Sequence, residues 1–80
     1  MDELIKRLRN NGKVELSIYL TVAWTHFKKG LEEGDDIGVR FNNIRIDTAL
    51  DILEIEKLLI KGEYDEISDT ITKMRRERGM

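Results

Sequence analysis

Glu56 is the residue whose neighbours in the sequence most suggest chemistry, because it interrupts a run of apolar residues. If that run is helical, Ile52 and Ile60 lie one turn to either side of it. A carboxylate in apolar surroundings pairs with a cation, or it acts as a general acid or base. No second carboxylate is placed beside it for catalysis. We therefore expect Glu56 to pair with Arg40, with Arg45 or with an arginine of a partner protein.

Other catalytic and metal-binding patterns are missing from the sequence. His26 is the only histidine and there is no cysteine, which excludes two-histidine metal sites, thiolate sites and disulfides. Ser17 and Ser68 are the only serines, and neither lies between the glycines of a nucleophile elbow. No dinucleotide-binding or phosphate-loop motif occurs. We expect a protein that is not an enzyme and that binds neither metal nor cofactor.

Four acidic residues form the densest acidic cluster in the chain. The cluster lacks the alternating ligands and the terminal glutamate of a calcium loop, so the sequence does not predict a metal site there. The ordinary interpretation is a solvated turn, and a contact surface for a basic partner is the functional alternative. The four residues are Glu32, Glu33, Asp35 and Asp36.

Aromatic and basic residues occur together in two places, as in proteins that stack on bases and bind phosphates. These residues are Trp24, Phe27, Lys28, Lys29, Arg40, Phe41 and Arg45. The net charge of −2 opposes general attraction to a polyanion. A nucleic-acid-associated accessory protein is therefore the second hypothesis for function. A small enzyme that uses Glu56 as acid or base is the third.

A helix is predicted over residues 47–61, with Asp47 as its N-cap and Gly62 as a left-handed C-cap. Its apolar side chains cover more than half of its circumference, which is wider than the stripe that a surface helix of a monomer needs. Part of this surface is expected to contact another chain. The candidate contact residues on it are Glu56, Ile52, Leu59 and Ile60.

The segments before this helix predict strands. Strict alternation of apolar and polar residues predicts a strand over 13–20 that runs into a helix over 22–29; a single strand ending near Thr25 is the alternative. Strands are also predicted over 37–41 and 44–46, with a hairpin turn at the two asparagines between them.

Helices over 2–10 and 64–78 complete the predicted fold, and the second of these should lie antiparallel to the helix over 47–61. The prediction is a single two-layer α+β domain that spans residues 1–80. Eighty residues leave no room for a second domain.

Composition narrows the class of function. With 40% hydrophobic and 38% charged residues the chain is typical of a globular protein, and no apolar run approaches the length of a membrane span. The first three residues carry acid where a signal peptide carries base, so a cytoplasmic location without membrane contact is expected. Residues 47–69 hold eight acids against two lysines, which suits a partner with a basic surface.

The sequence therefore favours a small, acidic, non-enzymatic module for protein interaction or regulation. Inhibitors and accessory proteins encoded by phages or other mobile elements are the class that it suggests by size and charge. Trp24 and Phe27 join the acids of residues 32–36 as candidate contact residues. A homodimer is a further expectation, because the apolar surface of residues 47–61 exceeds what one small domain covers.

Overall fold

The computed structural model describes all 80 residues as four α-helices. The helices are α1 (Asp2–Asn10), α2 (Val14–Glu33), α3 (Asp36–Ile55) and α4 (Glu63–Glu77). No strand is present, so the predicted α+β fold is wrong. The predicted helix over 2–10 coincides with α1, and the one over 64–78 differs from α4 by one residue at each end.

The predicted strand over 13–20 and helix over 22–29 are parts of one helix, α2. Its buried side includes Leu20, Ala23, Phe27 and Leu31, which recur at three- and four-residue spacing. Val14, Ile18 and Val22, which belong to the same alternation, lie on the opposite, exposed side of the helix. Because α2 has apolar residues on two sides, apolar side chains recur at every second position of this segment. That period of two is what predicted a strand.

The predicted strands over 37–41 and 44–46 and the turn between them are parts of α3. Asn42 Nδ2 donates to the Gly38 carbonyl oxygen at 2.8 Å, and its Oδ1 accepts from Arg45 Nη1 at 3.0 Å. Asn43 Oδ1 accepts from Arg75 Nη1 of α4 at 2.8 Å. Because both side chains are bonded to α3 itself or to α4, neither asparagine ends the helix.

The predicted limits of the helix over 47–61 are also wrong. Asp35 is the N-cap of α3, where its Oδ1 accepts from the Gly38 N–H at 3.0 Å. The helix ends at Ile55, because Lys57 adopts a left-handed conformation with φ of 59° and reverses the chain. Gly62 does not close a helix; it precedes α4 with φ of 83°.

Helices α2 and α3 form an antiparallel hairpin joined by Gly34 and Asp35. They approach closely near this turn, where a Cβ built on Gly30 would lie 3.0 Å from Val39 Cγ2. Helix α1 packs on α2 and α4 packs on α3. The Arg7 guanidinium ties α1 to α4, since it pairs with Glu63 and donates to the Leu58 carbonyl oxygen at 3.3 Å.

Helix α4 runs antiparallel to α3, as expected. The Tyr64 hydroxyl, near the start of α4, donates to Asp51, whereas Arg75, near its end, donates to Asn43. All four helices contribute to one core of fourteen buried apolar residues. None of the helices has both the length and the apolar character that crossing a membrane requires.

Candidate protein-interaction face

Helix α3 carries a second apolar side that the fold leaves open. The exposed fractions are 81% for Ile37, 57% for Phe41, 65% for Ile44, 44% for Ile52 and 80% for Ile55. At 100° per residue these side chains fall within one stripe that runs the length of the helix. The residues buried against α2 and α4 point away from this stripe, so α3 is apolar on two sides and only one is covered.

Helix α2 extends the exposed surface beside this stripe. Val14 is 48% exposed, Ile18 is 55%, and Tyr19 and Val22 are 37% each. Together, the exposed apolar residues of the two helices are called here the α2–α3 face. Its nine members are Val14, Ile18, Tyr19, Val22, Ile37, Phe41, Ile44, Ile52 and Ile55.

Helices α1 and α4 cannot cover this face, because they pack on the other side of the hairpin. Trp24 of α2 lies on that covered side, where it borders a small cavity together with Met1, Ile67 and Ile71. Asn43 of α3, which accepts from Arg75 of α4, points away from the exposed stripe, and Asp51, which accepts from Tyr64, lies at the edge of the stripe nearest α4. One side of the hairpin is therefore packed and the other is open.

A groove of about 710 Å³ lies on the face between the start of α2 and the end of α3. Its apolar lining includes Leu16, Tyr19 and Ile52, and the buried Ala49 also contributes. Charged residues surround this apolar floor. They are Lys13, Glu15 and Glu56.

Arg45 occupies the middle of the α2–α3 face. Its guanidinium carbon lies 5.0 Å from the centroid of the Tyr19 ring and 5.5 Å from that of Phe41, which are cation–π distances. Asn42 Oδ1 accepts its one side-chain hydrogen bond within the chain. The two ion pairs of the protein, Arg7–Glu63 and Arg40–Asp36, do not involve it. The face therefore has a fixed positive charge at its centre without a carboxylate partner.

Glu56 lies at one end of this groove as the exposed C-terminal cap of α3, and it forms no ion pair within the chain. Ile52, predicted to share a surface with it, is part of the α2–α3 face. Ile60 is 63% exposed in the loop before α4, and Leu59 is half-buried against the core. The structure thus brings Glu56 and Ile52 together but places the other two predicted contact residues apart from them.

The acids of residues 32–36 have different roles. Glu32 and Glu33 are exposed at the end of α2. Asp35 caps α3, and Asp36 pairs with Arg40 one turn along the same helix. No group of three or more acidic or histidine side chains is arranged to hold a metal ion.

Trp24 and Phe27 lie away from the α2–α3 face. Phe27 is fully buried, and the half-buried Trp24 stacks on it with a centroid distance of 5.8 Å and an interplanar angle of 10°. Lys28 Nζ lies 5.1 Å from the centroid of the Trp24 ring. Phe41 and Arg45 are on the open side of the hairpin, so the residues named for nucleic-acid binding do not form one surface.

Two groups with shifted pKa lie at the contact between α3 and α4. Burial raises the pKa of Asp47, and the nearby Asp51 carboxylate raises it further, while Arg75 lowers it. The hydrogen bond from the Tyr64 hydroxyl to Asp51 Oδ1, at 2.7 Å, raises the pKa of Tyr64 to about 12. Both groups belong to the packed side of the hairpin and neither lines the groove.

Most residues of the α2–α3 face were not predicted from the sequence as contact residues, although their spacing indicated a shared helical side. Ile37, Phe41 and Ile44 have helical spacing that continues to Ile52 and Ile55. This stripe becomes visible only when residues 36–55 are assigned to one helix. Comparisons of the chain with protein families, with characterised proteins and with solved structures found no significant match.

Proposed function

We propose that this protein is a non-enzymatic interaction module that binds another protein chain through the α2–α3 face. The observation that carries the proposal is the exposed stripe along the whole of α3. Scattered apolar residues are normal on a protein surface, but contiguous patches beyond a few hundred Å² are rare on monomers and mark interaction sites. A regulatory, inhibitory or accessory role follows from such a module, because it acts by occupying a surface of its partner.

The charges on the face supply orientation for the proposed contact. Burial of the stripe provides most of the binding free energy, while polar groups at the rim select partners and steer their approach. Glu15 and Glu56 at the groove suit a partner with a basic rim. The acids Asp47 and Asp51 extend the negative potential on the α4 side of the hairpin.

Affinity capture from the native host with a single substitution tests the proposal. Ile44→Glu places a charge in the centre of the stripe, at a position 65% exposed, where the fold does not need the isoleucine. Thr72→Glu, on the exposed side of α4, is the matched control. We expect a protein that the wild type and Thr72→Glu retain and Ile44→Glu loses, followed by direct binding of the purified pair. Equal recovery with all three baits would contradict the use of this face.

Nucleic-acid binding is the second candidate, and one observation favours it. Lys6, Arg9 and Lys28 line a groove between α1 and α2 that also includes Trp24. Binding of a labelled oligonucleotide that weakens steeply with salt, and that Lys6→Glu with Lys28→Glu abolishes, would support this function. Absence of binding at low ionic strength would remove it.

A further inference from the structure

We propose that the occupant of the α2–α3 face is a second copy of this chain, packed with its α3 antiparallel to the first. This inference rests on the proposed function, since it assumes that the face binds protein, and it identifies that protein as a second copy of the chain in place of a partner with a basic rim. Two features of the face carry it, its area and the spacing of its side chains, and the position of Arg45 determines how the contact should respond to salt.

The exposed apolar area matches what a stable dimer needs. The nine side chains of the face are each about half exposed on average. At roughly 150–200 Å² for a large side chain, they present on the order of 800 Å² of apolar surface. A standard-sized interface buries about 800 Å² on each partner. The face therefore suffices for a dimer without a contribution from α1 or α4.

The stripe on α3 is self-complementary about its centre. A two-fold axis that crosses the helix near Ile46 makes the two helices antiparallel, so a residue meets one that is equally far from the centre on the other side. Ile37 then lies opposite Ile55 of the partner subunit, nine residues from the centre on either side. Phe41 lies opposite a position one residue before Ile52 of the partner subunit, so that isoleucine is offset from it by one residue. Apolar residues thus face apolar residues at both ends of the contact.

Arg45 lies close to this axis, so the two copies bring like charges near each other. Stacking on Tyr19 and Phe41 keeps each guanidinium against its own subunit and offsets part of the repulsion. Each chain also has a net charge of −2. Because salt screens both repulsions while apolar burial is not weakened by it, the dimer is expected to tighten as ionic strength rises.

Sedimentation equilibrium of the full chain over a wide concentration range is the first measurement. We expect the wild type to approach twice the chain mass of 9.4 kDa at high micromolar concentration. Ile44→Glu should raise the dimer dissociation constant at least about tenfold, since a charge would be buried at the centre of the contact. Thr72→Glu on α4 should leave it unchanged. Circular dichroism of each variant establishes that the helices are retained.

Three double variants at the ends of the stripe then test the antiparallel register. Ile37 and Ile55 are 81% and 80% exposed, so their replacement should leave the fold intact. With the antiparallel register, Ile37→Glu with Ile55→Lys places opposite charges together at both ends, and the dimer is retained. Ile37→Glu with Ile55→Glu, or Ile37→Lys with Ile55→Lys, places like charges together, and the dimer is lost.

Three other outcomes would each contradict the inference, and each points to a different reason for its failure. A wild type that remains monomeric at all concentrations means that a different protein covers the face, and the capture experiment then decides the proposed function separately. A dimer that Ile44→Glu leaves intact uses another surface. Loss of the dimer in Ile37→Glu with Ile55→Lys excludes the antiparallel register.

Discussion

The two apolar sides of α3 have similar residues and opposite environments. On the side packed against the rest of the chain, Val39, Ile46 and Leu53 have no exposed surface. On the other side, Ile37 and Ile55 are 81% and 80% exposed. Since the residue types are alike, the difference comes from the number of helices that the chain supplies as cover. The packed side stabilises the fold, and the open side is available for binding.

The largest predicted effect is a difference in stability between the two sides. Alanine in place of one leucine on the packed side should lower the free energy of unfolding far more than alanine in place of one isoleucine on the open side. Leu50 is fully buried, and Leu50→Ala should lower the free energy of unfolding by about 3 kcal/mol, because it removes apolar contacts and leaves a cavity. Ile44→Ala should change it by no more than about 0.5 kcal/mol. Urea denaturation at low protein concentration, where self-association does not contribute, measures both. A cost for Ile44→Ala close to that for Leu50→Ala would mean that the open side is part of the folding core.

Removal of the Arg7 ion pair should give the next largest loss in the free energy of unfolding, because this pair joins the two helices that cover the packed side. Arg7→Ala leaves the Glu63 carboxylate, whose side chain is 11% exposed, without its cation, and removes a hydrogen bond to Leu58. A loss of about 2 kcal/mol in the free energy of unfolding is expected for hydrogen bonds to charged groups.

Arg9→Ala is the matched control for this pair, since Arg9 is exposed on the same helix and forms no ion pair. Its effect on urea denaturation should be close to zero. If the two alanine variants unfold at the same urea concentration, the Arg7–Glu63 contact does not hold α1 and α4 in place.

Much of this packed side could be predicted from the sequence, whereas the open side could be found only once residues 36–55 were assigned to one helix. The apolar residues of α4, including Ile67, Ile71 and Met74, form one narrow stripe that permits only a helical interpretation. In α3, by contrast, Ile37, Val39 and Phe41 alternate because they come from both sides of the helix. Only tertiary packing distinguishes that arrangement from a strand, so the stripe stayed hidden until the helix was known.

Loss of the N-terminal cap of α3 should lower the free energy of unfolding by less than loss of the ion pair does. The cap stabilises the helix as a whole and so both of its sides equally. Asp35→Ala removes the acceptor for the Gly38 N–H and should cost about 1 kcal/mol in the free energy of unfolding. Glu33→Ala, at an exposed position just before the turn, is the control and should be nearly neutral. Equal effects in thermal or urea denaturation would show that the acids act through general charge and not through the cap.

The smallest effect should come from Asp47, whose raised pKa reflects the packing of α4 on α3. Because its pKa is higher in the folded state than the ordinary value of 3.8, the folded protein holds the proton more tightly. The stabilising contribution is therefore complete below pH 3.8 and is lost as pH rises through the folded-state pKa. Asp47→Asn should raise stability at neutral pH, by no more than about 0.5 kcal/mol, and have no effect in acid.

The asparagine at position 47 would keep an oxygen that accepts from Asn43 Nδ2, so this comparison isolates the charge. Urea denaturation at neutral and acid pH measures the effect, with Asp65→Asn on the exposed side of α4 as control. A loss of stability at neutral pH would mean that attraction to Arg75 outweighs burial and the repulsion from Asp51. Charge pairing would then help to stabilise the packed side, whereas most of the binding free energy of the open face is expected from apolar contact.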